Sequence, residues 1–107
     1  MRIGLVGLGY WGKNIARNLS ELGVLNAICD SNINTLSSHK KIYKNVQIYE
    51  KIEDLVNSEV DAIFIATPAA THKEIIEISL YKDKDVFVEK PLCLDVKEGI
   101  YLKKLAN

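Results

Sequence analysis

Three glycines near the start of the chain carry the first chemical signal. Gly7, Gly9 and Gly12 form the pattern G-x-G-x-x-G directly after the apolar run IGLV, where a strand is expected to end and a helix to begin. In this pattern the first glycine permits a tight turn, the second lets the backbone approach a pyrophosphate, and the third lets the helix pack on the strand. The helix N-terminus then offers free N–H groups and a positive dipole end to phosphates. A glycine-rich turn that binds nothing is the alternative.

Two aromatic residues, Tyr10 and Trp11, occupy the variable positions of this predicted loop, and Trp11 is the only tryptophan of the chain. The first interpretation is that their rings pack against neighbouring loops or against a further part of a larger protein. The second is that one ring lies along the dinucleotide or beside the substrate entrance. Lys13 and Asn14 are predicted to begin the helix that follows.

An acidic residue completes the pattern of a dinucleotide site. Asp30 lies eighteen positions after Gly12, at the end of the apolar segment VLNAICD. A carboxylate there can accept hydrogen bonds from the hydroxyls of the adenosine ribose, and it would repel a 2′-phosphate. Ser31 and Asn32 follow without an arginine to reverse that repulsion, so the sequence favours NAD over NADP. Asp30 is alternatively the N-cap of the next helix.

Two further polar segments follow later apolar runs, ATPAATH with Thr67, Pro68 and His72, and VEKPL with Glu89 and Lys90. Lysine is a compact cation whose pKa moves readily in a partly buried site, so Lys90 can hold a substrate hydroxyl and help to move its proton. Read without context, Lys90 is a surface lysine, Glu89 an ion-pair partner, and His72 a histidine that merely begins a helix.

These residues are positioned by an alternation of short apolar runs and amphipathic stretches. Apolar periodicity predicts strands at residues 2–7, 24–30, 46–49, 60–67 and 85–90, and helices at residues 12–22, 32–44, 51–57, 71–82 and 95–106. Alternating strands and helices predict an α/β fold, a doubly wound parallel sheet of Rossmann type with three layers and about five strands. Ligands of such sheets bind beyond the carboxyl ends of the strands, where all the polar segments above would lie.

Local signals refine these helices. Gly23 is predicted to end the first one, and Leu22 is predicted to belong to its buried face. Thr71 is predicted to cap the fourth, with Glu74 as its partner in a capping box.

Composition excludes several classes of function. The chain has 107 residues, enough for one domain, and its 14 basic and 14 acidic side chains cancel, which argues against nucleic acid and membrane surfaces as partners. Cys29 and Cys93 fit no disulfide or metal-ligand spacing, so we expect two reduced thiols and no metal site. The apolar runs are too short to span a bilayer, and the N-terminus lacks the features of a signal peptide, so we expect a cytoplasmic protein.

Taken together, GLGYWGKN, Asp30, ATPAATH and EKP resemble, in this order and spacing, the N-terminal domain of the glucose–fructose oxidoreductase, inositol dehydrogenase and MocA family. The resemblance covers essentially the whole chain, and GYWGKN is similar to the branch that oxidises the C3 hydroxyl of UDP-N-acetylhexosamine-type sugars. It implies that Lys90 is catalytic and contacts the substrate hydroxyl. It also implies a cofactor site made by Gly7, Gly9, Tyr10, Trp11, Gly12, Asp30, Thr67, Pro68, His72, Glu89 and Lys90, with His72, Glu89 and Lys90 towards the nicotinamide.

Members of that family continue into a second α/β domain that supplies much of the sugar pocket, whereas this chain stops at Asn107. We therefore expect residues 1–107 to be a dinucleotide-binding domain that binds NAD without turnover and self-associates through apolar surface. A standalone nucleotide-binding or redox-sensing module is one alternative. A domain that binds S-adenosylmethionine is another, although EKP and ATP after the later strands argue against it.

Overall fold

The computed structural model describes residues 1–88, in which short strands alternate with helices. The elements are β1 (Ile3–Val6), α1 (Tyr10–Glu21), β2 (Leu25–Cys29), α2 (Ile33–Ile42), β3 (Gln47–Tyr49), α3 (Ile52–Val56), β4 (Ala62–Ile65), a 3₁₀ turn (Ala69–Thr71), α4 (His72–Tyr81) and β5 (Asp85–Val88). The predicted helix at 95–106, the end of the fifth predicted strand and Cys93 lie outside the described residues. None of the helices in this part of the chain is both long and apolar enough to cross a membrane.

The strands form one parallel sheet in the order β3-β2-β1-β4-β5. The chain moves from β1 outward through β2 to β3, then crosses back over β1 to β4 and continues to β5. The order therefore reverses between β1 and β4, which is the switch point at which such sheets bind ligands. This topology confirms the predicted fold class.

Both faces of the sheet are buried under apolar side chains, as is usual for a parallel sheet. Successive strand residues point to opposite faces, so Leu5 and Val6 of β1 enter different cores. Leu5 packs with Ala16 of α1 and Leu36 of α2, whereas Val6 packs with residues of α3 and α4. The molecule therefore has the three layers expected of a doubly wound fold.

The first helix begins two residues earlier than predicted, at Tyr10, with Gly9 in an extended conformation as its N-cap. Tyr10 and Trp11 are therefore the first two residues of α1 and not part of a loop, which corrects the prediction. Gly23 does end the helix, with φ +75° and its N–H donating to the Ser20 carbonyl. Leu22 was wrongly assigned to the buried face, because it is the C-cap residue and is 74% exposed.

The predicted capping box of α4 does not form. The Thr71 side chain makes no capping hydrogen bond, and its Oγ1 lies 2.7 Å from both Thr67 Oγ1 and the Pro68 carbonyl oxygen. The reason is the 3₁₀ turn that precedes α4, because it places Thr71 in helical backbone and turns its hydroxyl back towards the end of β4. Thr71 thereby supports the segment that follows β4.

Candidate functional site

A cavity of about 440 Å³ opens at the switch point of the sheet, beyond the carboxyl ends of β1, β2 and β4. Its location is the one at which doubly wound sheets bind their ligands. Five residues of the predicted cofactor site meet in its wall: Gly7, Gly9, Asp30, Thr67 and Pro68. The remaining lining residues are Val6, Leu8, Cys29, Ser31, Glu50, Ile52 and Ala66.

Each of the three positions of the pattern is occupied by glycine for a different structural reason. Gly7 adopts φ +96°, and a Cβ there would lie 2.9 Å from the backbone of Ala66. A Cβ on Gly12 would collide with the carbonyl group of Gly7, so this glycine lets α1 approach the turn closely. Gly9 differs, because a Cβ there would meet no atom of the described residues within 4 Å. The fold thus requires Gly7 and Gly12, whereas Gly9 leaves open space that a ligand can use.

The N-terminus of α1 faces this open space without a compensating side chain. Gly9 provides no side-chain cap, and the first turn contains no acidic residue. The first intrahelical hydrogen bond at this end runs from the Lys13 N–H to the Gly9 carbonyl, at 2.9 Å. The N–H groups before Lys13 and the positive end of the helix dipole are therefore available to an anion.

The side chains of Tyr10 and Trp11 lie away from the cavity. They are 73% and 66% exposed, their ring centroids are 5.2 Å apart in an edge-on arrangement, and neither side chain is among those that line the cavity. What these two residues offer to a ligand of the cavity is their backbone N–H groups in the first turn of α1.

Asp30 joins the end of β2 to the glycine turn. Its Oδ2 accepts from the Leu8 N–H at 2.9 Å, and its Oδ1 accepts from the Asn32 N–H at 2.8 Å. The alternative role of Asp30 as a helix cap is not what the structure shows, because Asn32 caps α2 by accepting from Asn34 and Thr35. Each carboxylate oxygen has a second lone pair, so Asp30 can still accept from a ligand hydroxyl.

His72 is buried next to the cavity and contacts Thr67, one of the residues that line it. It is only 1% exposed and is not one of the residues that line the cavity. Its Nε2 lies 2.8 Å from the Thr67 carbonyl oxygen and must carry the hydrogen, because a carbonyl only accepts. His72 therefore fixes the backbone of Thr67, which lines the cavity.

Sequence reasoning missed Glu50 and Ile52, which line the cavity from the end of β3 and the start of α3. The signal was available, since both follow the third predicted strand, whose carboxyl end had to lie at the same edge of the sheet. Among residues 1–88, Glu50 and Asp30 give this cavity two carboxylates, and no basic side chain of that range lines it.

The buried thiol of Cys29 also lies in the cavity wall. Burial raises its pKa to about 12, and the nearby carboxylates of Asp30, Glu53 and Asp54 act in the same direction. The thiol is therefore protonated and unreactive at neutral pH.

Two predicted residues, Glu89 and Lys90, lie outside the described residues, directly after β5. Within residues 1–88, no group of histidine, cysteine, aspartate and glutamate side chains is arranged to hold a metal ion.

Comparison with known families gives a match over the whole chain. The model of the family described as "Oxidoreductase family, NAD-binding Rossmann fold", named for glucose–fructose oxidoreductase, inositol dehydrogenase and MocA, matches residues 1–107. Both the glycine turn and the switch-point cavity lie within the matched range.

Two curated relatives and one solved structure illustrate the similarity. UDP-N-acetylglucosamine 3-dehydrogenase of Acidithiobacillus ferrooxidans is 28% identical over 107 residues, which are 100% of this chain and 34% of that protein. Myo-inositol 2-dehydrogenase of Thermotoga maritima is 33% identical over 101 residues, 92% of this chain and 30% of that protein. Scyllo-inositol dehydrogenase of Lactobacillus casei, solved with bound NAD(H) and scyllo-inositol, superposes with a TM-score of 0.92 at 32% identity, covering 98% of this chain and 32% of that one. The chain thus spans about a third of the length of the relatives it matches.

Proposed function

Because the chain belongs to the oxidoreductase family with an NAD-binding Rossmann fold, we propose that it is the NAD-binding domain of a dehydrogenase. The reaction transfers hydride between the nicotinamide ring and a secondary hydroxyl of a sugar, a cyclitol or a sugar nucleotide. Relatives that act on UDP-N-acetylglucosamine and on myo-inositol support this substrate class. The GYWGKN segment favours the sugar-nucleotide branch within it.

The observation that carries the proposal is the convergence of three features on one cavity. The open space at Gly9, the uncapped N-terminus of α1 and the carboxylate of Asp30 all face the switch point between β1 and β4. A pyrophosphate needs the first two features and an adenosine ribose needs the third. The described residues therefore fit a dinucleotide.

Each part of the wall has its own task in holding that dinucleotide. The N–H groups of the first turn of α1 bind the pyrophosphate, and Asp30 accepts hydrogen bonds from the ribose hydroxyls. Ile52 and Pro68 offer apolar surface to a flat ring, and Thr67 is held in place by His72. Asp30 and Glu50 disfavour additional negative charge, which supports NAD as the preferred cofactor.

The catalytic role falls to Lys90, on the strength of the family resemblance. When bound, the dinucleotide supplies a nicotinamide ring that accepts or donates hydride. Lys90 would hold the substrate hydroxyl and stabilise the oxygen as its proton moves, and Glu89 would lie beside it at the nicotinamide. β5 is parallel to β4, so its last residue, Val88, lies at the edge of the sheet that carries the cavity.

Residues 1–107 form the dinucleotide-binding domain in this proposal, and the substrate pocket belongs to the part of the relatives that the chain does not match. A hydride transfer needs both reactants held together in an ordered site that excludes water. The 107-residue chain alone is therefore expected to bind NAD without turnover. We also expect it to work in the cytoplasm and to self-associate through apolar surface. Light scattering at increasing concentration tests self-association, and a constant monomer mass would contradict it.

The experiment that tests the proposed function is a calorimetric titration of the chain with NADH, followed in parallel by the fluorescence of Trp11. Gly9→Val fills the open space and should abolish binding, while Ser20→Val, on the exposed far end of α1, should leave it unchanged. Saturable binding with this pattern supports a dinucleotide site. Absence of NADH binding by a folded chain would contradict it, and binding of S-adenosylmethionine instead would assign the chain to the other class of glycine-turn domain.

A further inference from the structure

The strand β3 lies at one end of the sheet, because within residues 1–88 it pairs with β2 and with no other strand. The Asp30 N–H donates to the Tyr49 carbonyl at 3.2 Å, so the backbone groups of Tyr49 point towards β2. Successive residues of a strand point their N–H and C=O groups to opposite sides, so those of Ile48 point outward. Ile48 therefore offers one donor and one acceptor to a further strand.

A groove of about 320 Å³ lies along this edge of the sheet. Its apolar part comes from α2 and β3, and its charged part comes from the end of β3 and from α3. The lining residues are Ile33, Leu36, Ile48, Tyr49, Glu50, Lys51 and Asp54. Apolar side chains and charges of both signs thus lie beside the unpaired backbone of β3. Only Glu50 is shared with the dinucleotide cavity.

Lys40 of α2 closes the other half of the same edge. Its Nζ donates to the Lys44 carbonyl at 2.9 Å and to the Val46 carbonyl at 2.6 Å. The Val46 N–H is also used, because it donates to the Tyr43 carbonyl at 3.1 Å. A further strand can therefore bond at Ile48 and beyond it, but not at Val46. An ammonium group has three hydrogens, so one hydrogen of Lys40 remains for another acceptor.

We propose that the β3 edge binds the β3 edge of a second copy of this chain, antiparallel to it, about a two-fold axis at Ile48. The two Ile48 residues then exchange both of their backbone hydrogen bonds, as a hydrogen-bonded antiparallel pair does. A two-fold contact is isologous, so the same groove serves both copies. The proposal assigns a definite surface to the self-association expected above, and it does not depend on a bound cofactor.

The charges at this edge are self-complementary in that register. With Ile48 opposite Ile48, Val46 of one copy lies opposite Glu50 of the other, and the Lys40 ammonium at the Val46 carbonyl comes beside the Glu50 carboxylate. The symmetry makes this ion pair twice. Glu50 forms no ion pair within residues 1–88, so the second copy supplies its partner. The next register that pairs outward-facing residues, Ile48 with Glu50, would place Lys40 beside Ile52 and lose the ion pair.

Sedimentation of the 107-residue chain over a range of concentrations gives the first test. The strand is short and the groove is small, so we expect a weak contact with a dissociation constant between about 1 μM and 1 mM. Association should end at the dimer, because a two-fold contact is closed. A monomer at every concentration up to about 1 mM would overturn the proposal.

A matched pair of charge reversals tests the ion pair. Glu50→Lys brings two ammonium groups together at each end of the contact, and it should raise the dissociation constant of the dimer by about tenfold or more. Glu53→Lys makes the same change of charge at an exposed position of α3 outside the groove, and it should change the constant by less than about twofold. Equal effects of the two variants would overturn the proposed register.

Cysteine cross-linking in a Cys93→Ser background tests the two-fold axis directly. Ile48→Cys brings two thiols together on the axis, where Cα atoms about 5.5 Å apart permit a disulfide, so oxidation should give a covalent dimer. Gln47→Cys is the control, because its two copies would lie about 8 Å apart and should not cross-link. Equal cross-linking at both positions, or none at Ile48→Cys, would assign the dimer to another surface.

Cofactor binding is a separate outcome. A chain that dimerises through β3 but does not bind NADH would refute the dinucleotide site and leave this inference standing. A chain that binds NADH and stays monomeric would do the reverse.

Discussion

The carboxylate of Asp30 accepts a hydrogen bond from the backbone N–H of Leu8, at 2.9 Å, and so joins the carboxyl end of β2 to the glycine turn after β1. The residue expected to bind the adenosine ribose is thus also a structural part of the turn expected to bind the pyrophosphate. Loss of the carboxylate should therefore affect both the stability of the domain and its choice of cofactor.

Asp30→Asn tests this double role. The Leu8 and Asn32 N–H groups donate to different oxygens of Asp30. Asparagine replaces one of these oxygens with an NH2 group, which cannot accept, so the free energy of unfolding should fall by about 1–2 kcal/mol. The dissociation constant for NADH should rise about tenfold and that for NADPH should rise less, because a negative charge is removed. Chemical denaturation and calorimetry measure the two effects. Asp85→Asn, an exposed change at the start of β5, is the control. An unchanged ratio of the two dissociation constants would show that Asp30 does not select the cofactor.

Gly12→Ala should destabilise the fold whether or not cofactor is present. Its Cβ would collide with the Gly7 carbonyl, a backbone atom that cannot move aside, so a loss of about 3 kcal/mol is expected. For a domain of this size, that loss lowers the melting temperature by more than about 10 °C. Circular dichroism during heating measures it, and a melting temperature equal to that of the native chain would refute the close approach of α1 to the turn.

Gly9→Ala should show the opposite behaviour. The added methyl group meets no atom within 4 Å in the part of the chain that the structure describes, and the backbone of Gly9 is extended, so stability should change by less than about 0.5 kcal/mol. NADH binding should weaken about tenfold or more, because the methyl group occupies the approach to the pyrophosphate. The same melting and calorimetric measurements test this pair of expectations, and a fully retained affinity would place the pyrophosphate elsewhere.

His72→Leu should reduce stability by about 1–3 kcal/mol, because it leaves the carbonyl of Thr67 without the hydrogen bond from Nε2. NADH affinity should also fall, since Thr67 lines the cavity. Glu74→Gln, an exposed change in the same turn of α4, should do neither. If His72→Leu lowers affinity with no loss of stability, His72 contacts the cofactor directly, contrary to its buried position.

Cys29 should resist modification in the folded chain. Burial raises the pKa of its thiol to about 12, so folding favours the protonated form. The stability that this preference contributes is fully present below the ordinary thiol pKa of 9.0 and is lost as the pH rises from there towards about 12. In a Cys93→Ser background, a thiol reagent at pH 8 should react only after denaturation. Rapid labelling of the native chain would show that the β2 end opens.

The role of Lys90 can be tested where this chain operates together with a substrate-binding region. Lys90→Met should lower kcat by about a hundredfold or more, because it removes the group that stabilises the substrate oxygen as its proton moves. Lys82→Met, at the exposed end of α4, should leave kcat unchanged. A near-normal kcat for Lys90→Met would exclude a catalytic role.

The sequence predicted the order and type of the elements within residues 1–88, because the apolar runs of a parallel sheet and the amphipathic helices between them differ in period. It also predicted which strand ends would meet at the cavity, since Asp30 and Thr67 directly follow apolar runs. Element ends were less predictable. The residue types of Tyr10 and Trp11 fit a loop and a first helical turn equally well. The start of α1 at Tyr10 depends on the extended backbone of Gly9, its N-cap.

Contacts between distant segments were beyond the reach of sequence patterns. The spacing of Thr71 and Glu74 fits a capping box, but a 3₁₀ turn after β4 uses the Thr71 hydroxyl differently. A cleft lined by Lys13 of α1 and His39 of α2 arises only because the two helices lie on the same face of the sheet. Such arrangements depend on tertiary packing, for which local propensity is a weak guide.

The different surroundings of the three glycines bear on how this motif should be read in related sequences. Neighbouring backbone atoms leave no space for a side chain at Gly7 or Gly12, so a related protein that had lost its cofactor would be expected to retain both glycines. Within residues 1–88 no neighbouring atom constrains Gly9, so a bound ligand is the reason for selection to keep it. Among homologues, the middle glycine is therefore the position whose loss would mark a lineage that no longer binds a dinucleotide.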